Sequence, residues 1–289
     1  MTRRCPYGYA VSVYDFGTRR RVVRPSPLFL IFVAVTAVGA AIAWLSKDAG
    51  SRWGDFGVFV FVLGGWVVSV CIHEFAHAYA AYRAGDRSVE AAGYLTLNPF
   101  KYAHPVLSIL LPLVFLVSGG IGLPGGAVYL HPHTFRSRLS RSIAAGSGPA
   151  VNLVLGVACI WLARANDGDL RHILGGSAVD LGHLRFWSAI AFLGFLQITA
   201  AVLNLLPVPG LDGWAIIEPY LNPVTVQAAE KIKPWGMLGV IVLLTVHQLN
   251  VKFFSLVYWF FDRLDSSQVS HEMALYGREF FRWWATPPW

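Results

Sequence analysis

The chain has 289 residues, 55% of them hydrophobic and 13% charged, with a mean hydropathy of +0.53. A soluble domain carries about a quarter charged residues, so this composition excludes an ordinary soluble protein and places the chain in the membrane class. The net charge of +7 does not point to nucleic acid, because Lys and Arg beside membrane segments are retained by cytoplasmic loops.

Residues 1–26 form a polar arm carrying Arg3, Arg4, Arg19, Arg20, Arg21 and Arg24, which reads as cytoplasmic. No cleavable signal peptide is visible, since the first apolar run starts only at Pro27 and is long enough to remain as an anchor. A spanning helix needs roughly 20 mostly apolar residues. Pro27 to Leu45, Gly57 to Tyr82, Ser142 to Ala163 and Phe186 to Leu206 meet that requirement. Pro105 to Leu123 is interrupted by Pro112 and by Gly119 and Gly120, and Trp235 to Val251 is short and followed at once by Lys252. The stretch 27–261 reads as the membrane-embedded domain. Residues 262–289 mix charges with "FFRWW" and fit an amphipathic helix at the membrane surface as well as they fit a poorly ordered tail.

Charge sets the threading. The loop "KDAGSRWGD" is balanced and reads as outside, so the second apolar helix returns inward. The region holding Arg83, Arg87, Lys101, Arg136, Arg138 and Arg141 reads as inside, and the balanced loop 164–185 as outside. A full crossing by Pro105 to Leu123 would put the arginines of "FRSRLSR" outside. The segment is therefore expected to dip in and return, with its irregular backbone covered by protein or a wet cavity. Cys5, Cys71 and Cys159 have no metal or redox spacing.

The second apolar helix contains "HEFAH". His73 and His77 are four residues apart and share one helical face, so both imidazoles can reach one metal ion. Glu74 stands beside them as a general base. H-E-x-x-H on a helix is a zinc signature. Ionisable groups within a membrane helix cost on the order of 3 kcal/mol each on insertion scales, and a shared divalent cation gives three of them a reason to cluster. A catalytic zinc site needs a third protein ligand and an open position. "NLLPVPGLDGW", Asn204 to Trp214, offers Asp212 where Pro207 and Pro209 break the fourth helix, although an ordinary turn aspartate fits the spacing as well. Asp212 reaches the metal only if its helix ends on the same side as His77, which again requires that Pro105 to Leu123 does not cross.

"HEFAH", "GPAVN" (Gly148 to Asn152) and "NLLPVPGLDG", in that order, resemble the site-2 protease family of intramembrane zinc metalloproteases. The resemblance covers roughly Phe56 to Trp214. "GYLTLNPFKYAHPVLSILLP" is similar to a subgroup lacking any soluble insertion. The resemblance implies His73, His77 and Asp212 as ligands of one Zn2+ per chain, Glu74 as the catalytic base, and Asn204 near the oxyanion or the substrate backbone. It also implies a substrate-binding role for Asn152 and for an edge strand, "GGAVYL", including Gly125, Gly126, Ala127 and Val128. A free strand edge can hold an unwound substrate. Gly210, Ser147 and Trp214 depart from the residues common in the family.

The fold class expected is thus an all-α polytopic membrane protein of about five to six transmembrane helices, with a re-entrant segment and a short membrane-associated β edge. The function expected is intramembrane proteolysis of a transmembrane protein substrate in the lipid bilayer, with the N-terminus and the active site toward the cytoplasm of a bacterial plasma membrane. No nucleic acid is an expected partner. The alternatives are a zinc-binding transporter, which should line several helices with ligands along a path, and a non-proteolytic scaffold, which Glu74 argues against. His104, His131 and His133 read as surface or interface residues. His247, inside the last apolar run, is expected to hydrogen-bond across helices with Gln248 or Asn250.

Overall fold

A computed structural model describes residues 23–48, 50–102, 114, 116–117, 134–168 and 183–284. Helix α1 (Pro27–Leu45) starts with Pro27, and the Ser26 side chain accepts the Phe29 N–H. That combination satisfies an orphan donor and fixes the first φ. Helix α2 (Arg52–Ala84) is capped in the same way by Ser51. With 33 residues it is about 50 Å long, well beyond the roughly 30 Å of hydrocarbon. After the short α3 (Ser88–Ala91) come α4 (Arg138–Arg164), opened by a reciprocal Ser137–Ser140 capping box, and α5 (Leu184–Asn204). The remaining helices are α6 (Asp212–Ile217), α7 (Pro223–Ile232), α8 (Gly236–Thr245), α9 (His247–Leu264) and α10 (Val269–Phe281). Among the described residues there is no strand. The expected β edge, Gly125 to Leu130, and His104, His131 and His133 lie outside them.

Among the described residues four single helices, α1, α2, α4 and α5, are long and apolar enough to cross a membrane, and they match the four expected spans. The fourth runs two residues short of Leu206 because Pro207 cannot continue it. The sixth expected segment differs. Trp235 to Val251 is not one continuous helix: α8 ends at Thr245, Val246 is extended, and α9 departs at 88°, although the helices on either side of the bend together are apolar enough to count as a fifth, broken span. The Asn250 amide donates to the Leu244 carbonyl, supplying a partner for a helix-terminal acceptor at the bend. His247 is exposed at that bend rather than enclosed between helices.

Most of Pro105 to Leu123, expected to dip in and return, lies outside the described residues. Arg136 N–H bonds to the Ala84 carbonyl at 3.4 Å, which ties the start of the next described stretch to the C-terminal end of α2.

The core is built on α5. Its residues Phe192 and Leu196 pack with Val58, Val62 and Trp66 of α2. Ile198 and Leu203 pack with Ile160 of α4 and with Val257 and Phe261 of α9. Outward faces carry Leu30, Ile31 and Val38 on α1 and Ile143, Val154 and Trp161 on α4, as a lipid-facing surface should. The C-terminal stretch, expected at the membrane surface, forms α10 and turns an apolar face toward the bundle, where Met273 and Phe281 are fully buried. Its start is fixed by buried Asp265, whose carboxylate accepts from the Ser267 and Ser270 amides and hydroxyls. Burial would raise the Asp265 pKa, but these four bonds prevail and hold it below the ordinary value.

Arg185, at the start of α5, is almost fully buried. Its Nε donates to Asp55 of α2 at 2.7 Å, and Nη1 donates to the Ser46 and Asp48 carbonyls at 3.0 and 2.7 Å. One guanidinium thereby ties the α1–α2 turn and the head of α2 to α5. Removing Asp55, which is a quarter exposed, leaves the buried guanidinium its two carbonyl partners but takes away the carboxylate's counter-charge, a loss on the order of 1–3 kcal/mol. Asp55→Ala is expected to lower the detergent-solubilised protein's stability by that order, read as a reduced thermal midpoint. An unchanged midpoint would refute the lock.

Candidate metal centre

His73 and His77 sit in the C-terminal half of α2, both buried, with Glu74 between them. Their Nε2 atoms are 3.0 Å apart, and each lies 3.3 Å from Oδ2 of Asp212. The three ligand atoms thus fall within 4.8 Å of one another, and among the described residues no second group of this kind occurs. Two imidazoles and a carboxylate form a nitrogen–oxygen donor set suited to a first-row divalent metal.

The tautomer of His77 follows from its partner. Nδ1 lies 2.8 Å from the Ala144 carbonyl of α4. A carbonyl only accepts, so Nδ1 carries the proton and Nε2 presents its lone pair to the common point. A metal-bound histidine is oriented by the same kind of outer hydrogen bond. The carbonyl also accepts from the Ser147 hydroxyl at 2.8 Å. Pro149, inside α4, has no N–H for the Ala145 carbonyl, which interrupts the backbone ladder in this turn.

Gly148 completes the fit. A Cβ built there would stand 2.6 Å from His73 Nε2 and closer still to His77 Nε2. Helix α4 therefore lies against both imidazoles only because residue 148 has no side chain, leaving space where the ligand atoms meet.

Asp212 arrives by a sharp reversal. Helix α5 ends at Asn204, Val208 N–H bonds to Leu206 O, and Leu211 N–H bonds to Val208 O. Asp212 opens α6, and any side chain at Gly213 would collide with the Leu205 carbonyl. The turn thus folds α6 back onto the end of α5 and aims the carboxylate at α2. Its side chain is 24% exposed against 7% for each histidine, so the centre is most open on the Asp212 side. Asn204 is buried at the last position of α5. Asn152 is buried in α4, and its Oδ1 has no hydrogen-bond partner.

The chain matches the peptidase family M50 over residues 59–247. It is 51% identical over 266 residues to the "Putative zinc metalloprotease Rip2" of Mycolicibacterium smegmatis, covering 92% of this chain and 96% of that protein. The Rip2 of Mycobacterium tuberculosis, identically named, is 45% identical over 92% of this chain and 97% of its own length. YwhC of Bacillus subtilis, also named as such a metalloprotease, is 31% identical over 61% of this chain and 76% of its own. The chain belongs to peptidase family M50. It is a metallopeptidase of this site-2 protease family, and the match extends past Trp214, through α7 and α8. No solved structure matches it.

Sequence reasoning named the two histidines, the glutamate and the aspartate. It did not find the Ala144 carbonyl, which has no side-chain signature, or the reason for Gly148. The glycine in "GPAVN" was the available signal, because a helix interior disfavours glycine unless something must come close. Gly148→Ala is expected to weaken divalent-metal binding on the order of 10- to 100-fold, as for other disturbances just outside a metal's ligands, with helix content preserved. Metal titration of the purified variant checks this, and unaltered affinity would contradict the close approach.

Proposed function

We propose that the chain is an intramembrane zinc metalloprotease that hydrolyses a peptide bond in or near a transmembrane segment of another membrane protein. The observation that carries the reading is the meeting of His73, His77 and Asp212 at one point, at a depth set by an apolar helix. The names of the relatives support zinc as the metal. Ligands gathered at one point, rather than strung along several helices, favour a catalytic centre over a transport path.

The residues divide the work. His73 and His77 from α2 and Asp212 from α6 would hold the zinc ion. Bound there, zinc supplies a Lewis acid for the scissile carbonyl and makes water acidic enough to ionise near neutral pH. Glu74 lies one position from His73 and three from His77, so it borders the same helical face. Its carboxylate takes the proton of the attacking water and returns it to the departing amine. Asn204, ahead of the turn that carries Asp212, offers its amide N–H to the developing oxyanion, a preorganised donor of the kind that contributes most to such steps. Gly125, Gly126, Ala127 and Val128 are proposed, from the sequence alone, as the edge that holds the unwound substrate. The N-terminal arm and the centre are assigned to the cytoplasmic side of a bacterial plasma membrane by the arginine distribution.

Two substitutions separate binding from chemistry. Glu74→Gln leaves the three ligands intact, so the protein should retain zinc while cleavage of a transmembrane test substrate falls by about 10²–10⁴-fold, the usual worth of a general base. Cleavage at the wild-type rate would eliminate the mechanism. Asp212→Ala should lose most bound zinc, measured by mass spectrometry of metals, and full occupancy would remove Asp212 from the ligand set.

A further inference from the structure

His73 poses a problem that His77 does not. Both imidazoles present Nε2 to the common point. His77 is held from behind by the Ala144 carbonyl, but Nδ1 of His73 is buried and has no hydrogen-bond partner. A neutral imidazole that gives its Nε2 lone pair to a metal carries its proton on Nδ1. That N–H then needs an acceptor, and a metal-ligating histidine almost always has one. An unpaired buried donor costs about 1–3 kcal/mol.

The complementary vacancy lies on α4. Asn152 is buried, and its side-chain oxygen lacks a partner. Ala144, Gly148 and Asn152 are spaced by four, so they line one face of α4. The first bonds the outer nitrogen of His77. The second touches both rings, and its missing Cβ would stand 2.7 Å from Cε1 of His73, the carbon between its two nitrogens. Gly148 thus meets the Nε2–Cε1 edge of His73, whose Nδ1 is bonded to the same Cε1. Asn152 stands one turn beyond Gly148 on the side away from Ala144.

We propose that Asn152 is the outer partner of His73: its side-chain oxygen accepts the Nδ1 proton through one buried water, and so positions the ligand for zinc. Asn152 is then a positioning residue. This structural task behind the metal is distinct from the substrate-binding role implied by the family resemblance. The arrangement is two-sided: α4 orients one imidazole through a main-chain carbonyl and the other through a side-chain carbonyl, one helical turn to either side of Gly148. The inference rests on the zinc reading above.

The test uses full-length protein in detergent and a competing chromophoric zinc chelator at pH 7. Asn152→Leu keeps the shape and removes the acceptor, and its zinc affinity should fall by about 10- to 100-fold. Asn152→Asp keeps an acceptor in place and should bind zinc at least as tightly as wild type. In excess EDTA the Leu variant should melt no lower than wild type, because an unpaired buried oxygen contributes nothing to the metal-free protein. A general packing role would lower that midpoint and would overturn the proposal, as would wild-type affinity in the Leu variant. If the Leu variant does not fold, the Asp variant decides, and a tenfold weaker affinity there overturns it. Zinc in the wild type with undiminished affinity in Asn152→Leu refutes this inference alone. No zinc in the wild type refutes the zinc reading and this inference with it.

Discussion

Two imidazole nitrogens 3.0 Å apart, with a carboxylate oxygen 3.3 Å from each, form the contact on which the rest of the structure depends. Lone pairs that face each other repel unless a cation or proton lies between them, and burial strengthens the repulsion because the surroundings screen it weakly. The cluster is therefore coherent only with a cation or a shared proton at its centre, and a divalent metal is the cation that three such donors suit. The two histidines come from one helix, where a spacing of four guarantees a shared face. The carboxylate comes from a chain segment 135 positions beyond His77 in the sequence, so its arrival is a property of the fold.

Helix α4 makes that arrival possible while contributing no ligand. It lies between the metal-binding face of α2 and the helix that follows, and it does three things with one stripe of residues. Ala144 fixes a tautomer through its carbonyl. Gly148 leaves room. Ser142 and Arg141 engage the short segment after Asp212, through Ser142 Oγ to Ile216 O and an Arg141–Glu218 ion pair. The helix that holds the histidines from behind therefore also grips the element that supplies the carboxylate. The close approach to both imidazoles explains why glycine, a poor residue for a helix interior, stands at position 148.

Much of this was legible in the sequence, and the legible part has a common character. Four apolar runs became four helices because length and hydropathy are local properties. The pair His73 and His77 was legible because helical periodicity is local too. Asp212 was reachable only by a counting argument: its helix had to end on the same side as His77, and the charged loops allowed one parity. The rest required tertiary contact. The bend at Val246 divides an apolar run that looks continuous, since hydropathy does not register a helix's direction. The face of α10 around Met273 and Phe281 reads equally well as lipid-facing or protein-facing, because amphipathicity says that a face is covered and not by what. Arg185 looked like one charge in a balanced loop, yet it is buried against Asp55, a pairing invisible without the neighbour.

Geometry of a few tenths of an ångström at the centre needs more than apolar packing, which is non-directional. Helices α2 and α5 run parallel and are fixed to each other at three depths. Asp55 meets Arg185 at one end. About 20 Å further along each helix, Ser69 accepts from the Gln197 amide at 2.8 Å, with both residues buried. Beyond that, His73 and His77 meet the carboxylate that follows the end of α5. Each contact is directional and would break if one helix slid by a residue, a shift of 1.5 Å. The apolar side chains between them supply cohesion but tolerate such slippage. The polar groups that make these helices costly to insert are therefore the ones that set their register, and the metal centre is the last point on that line.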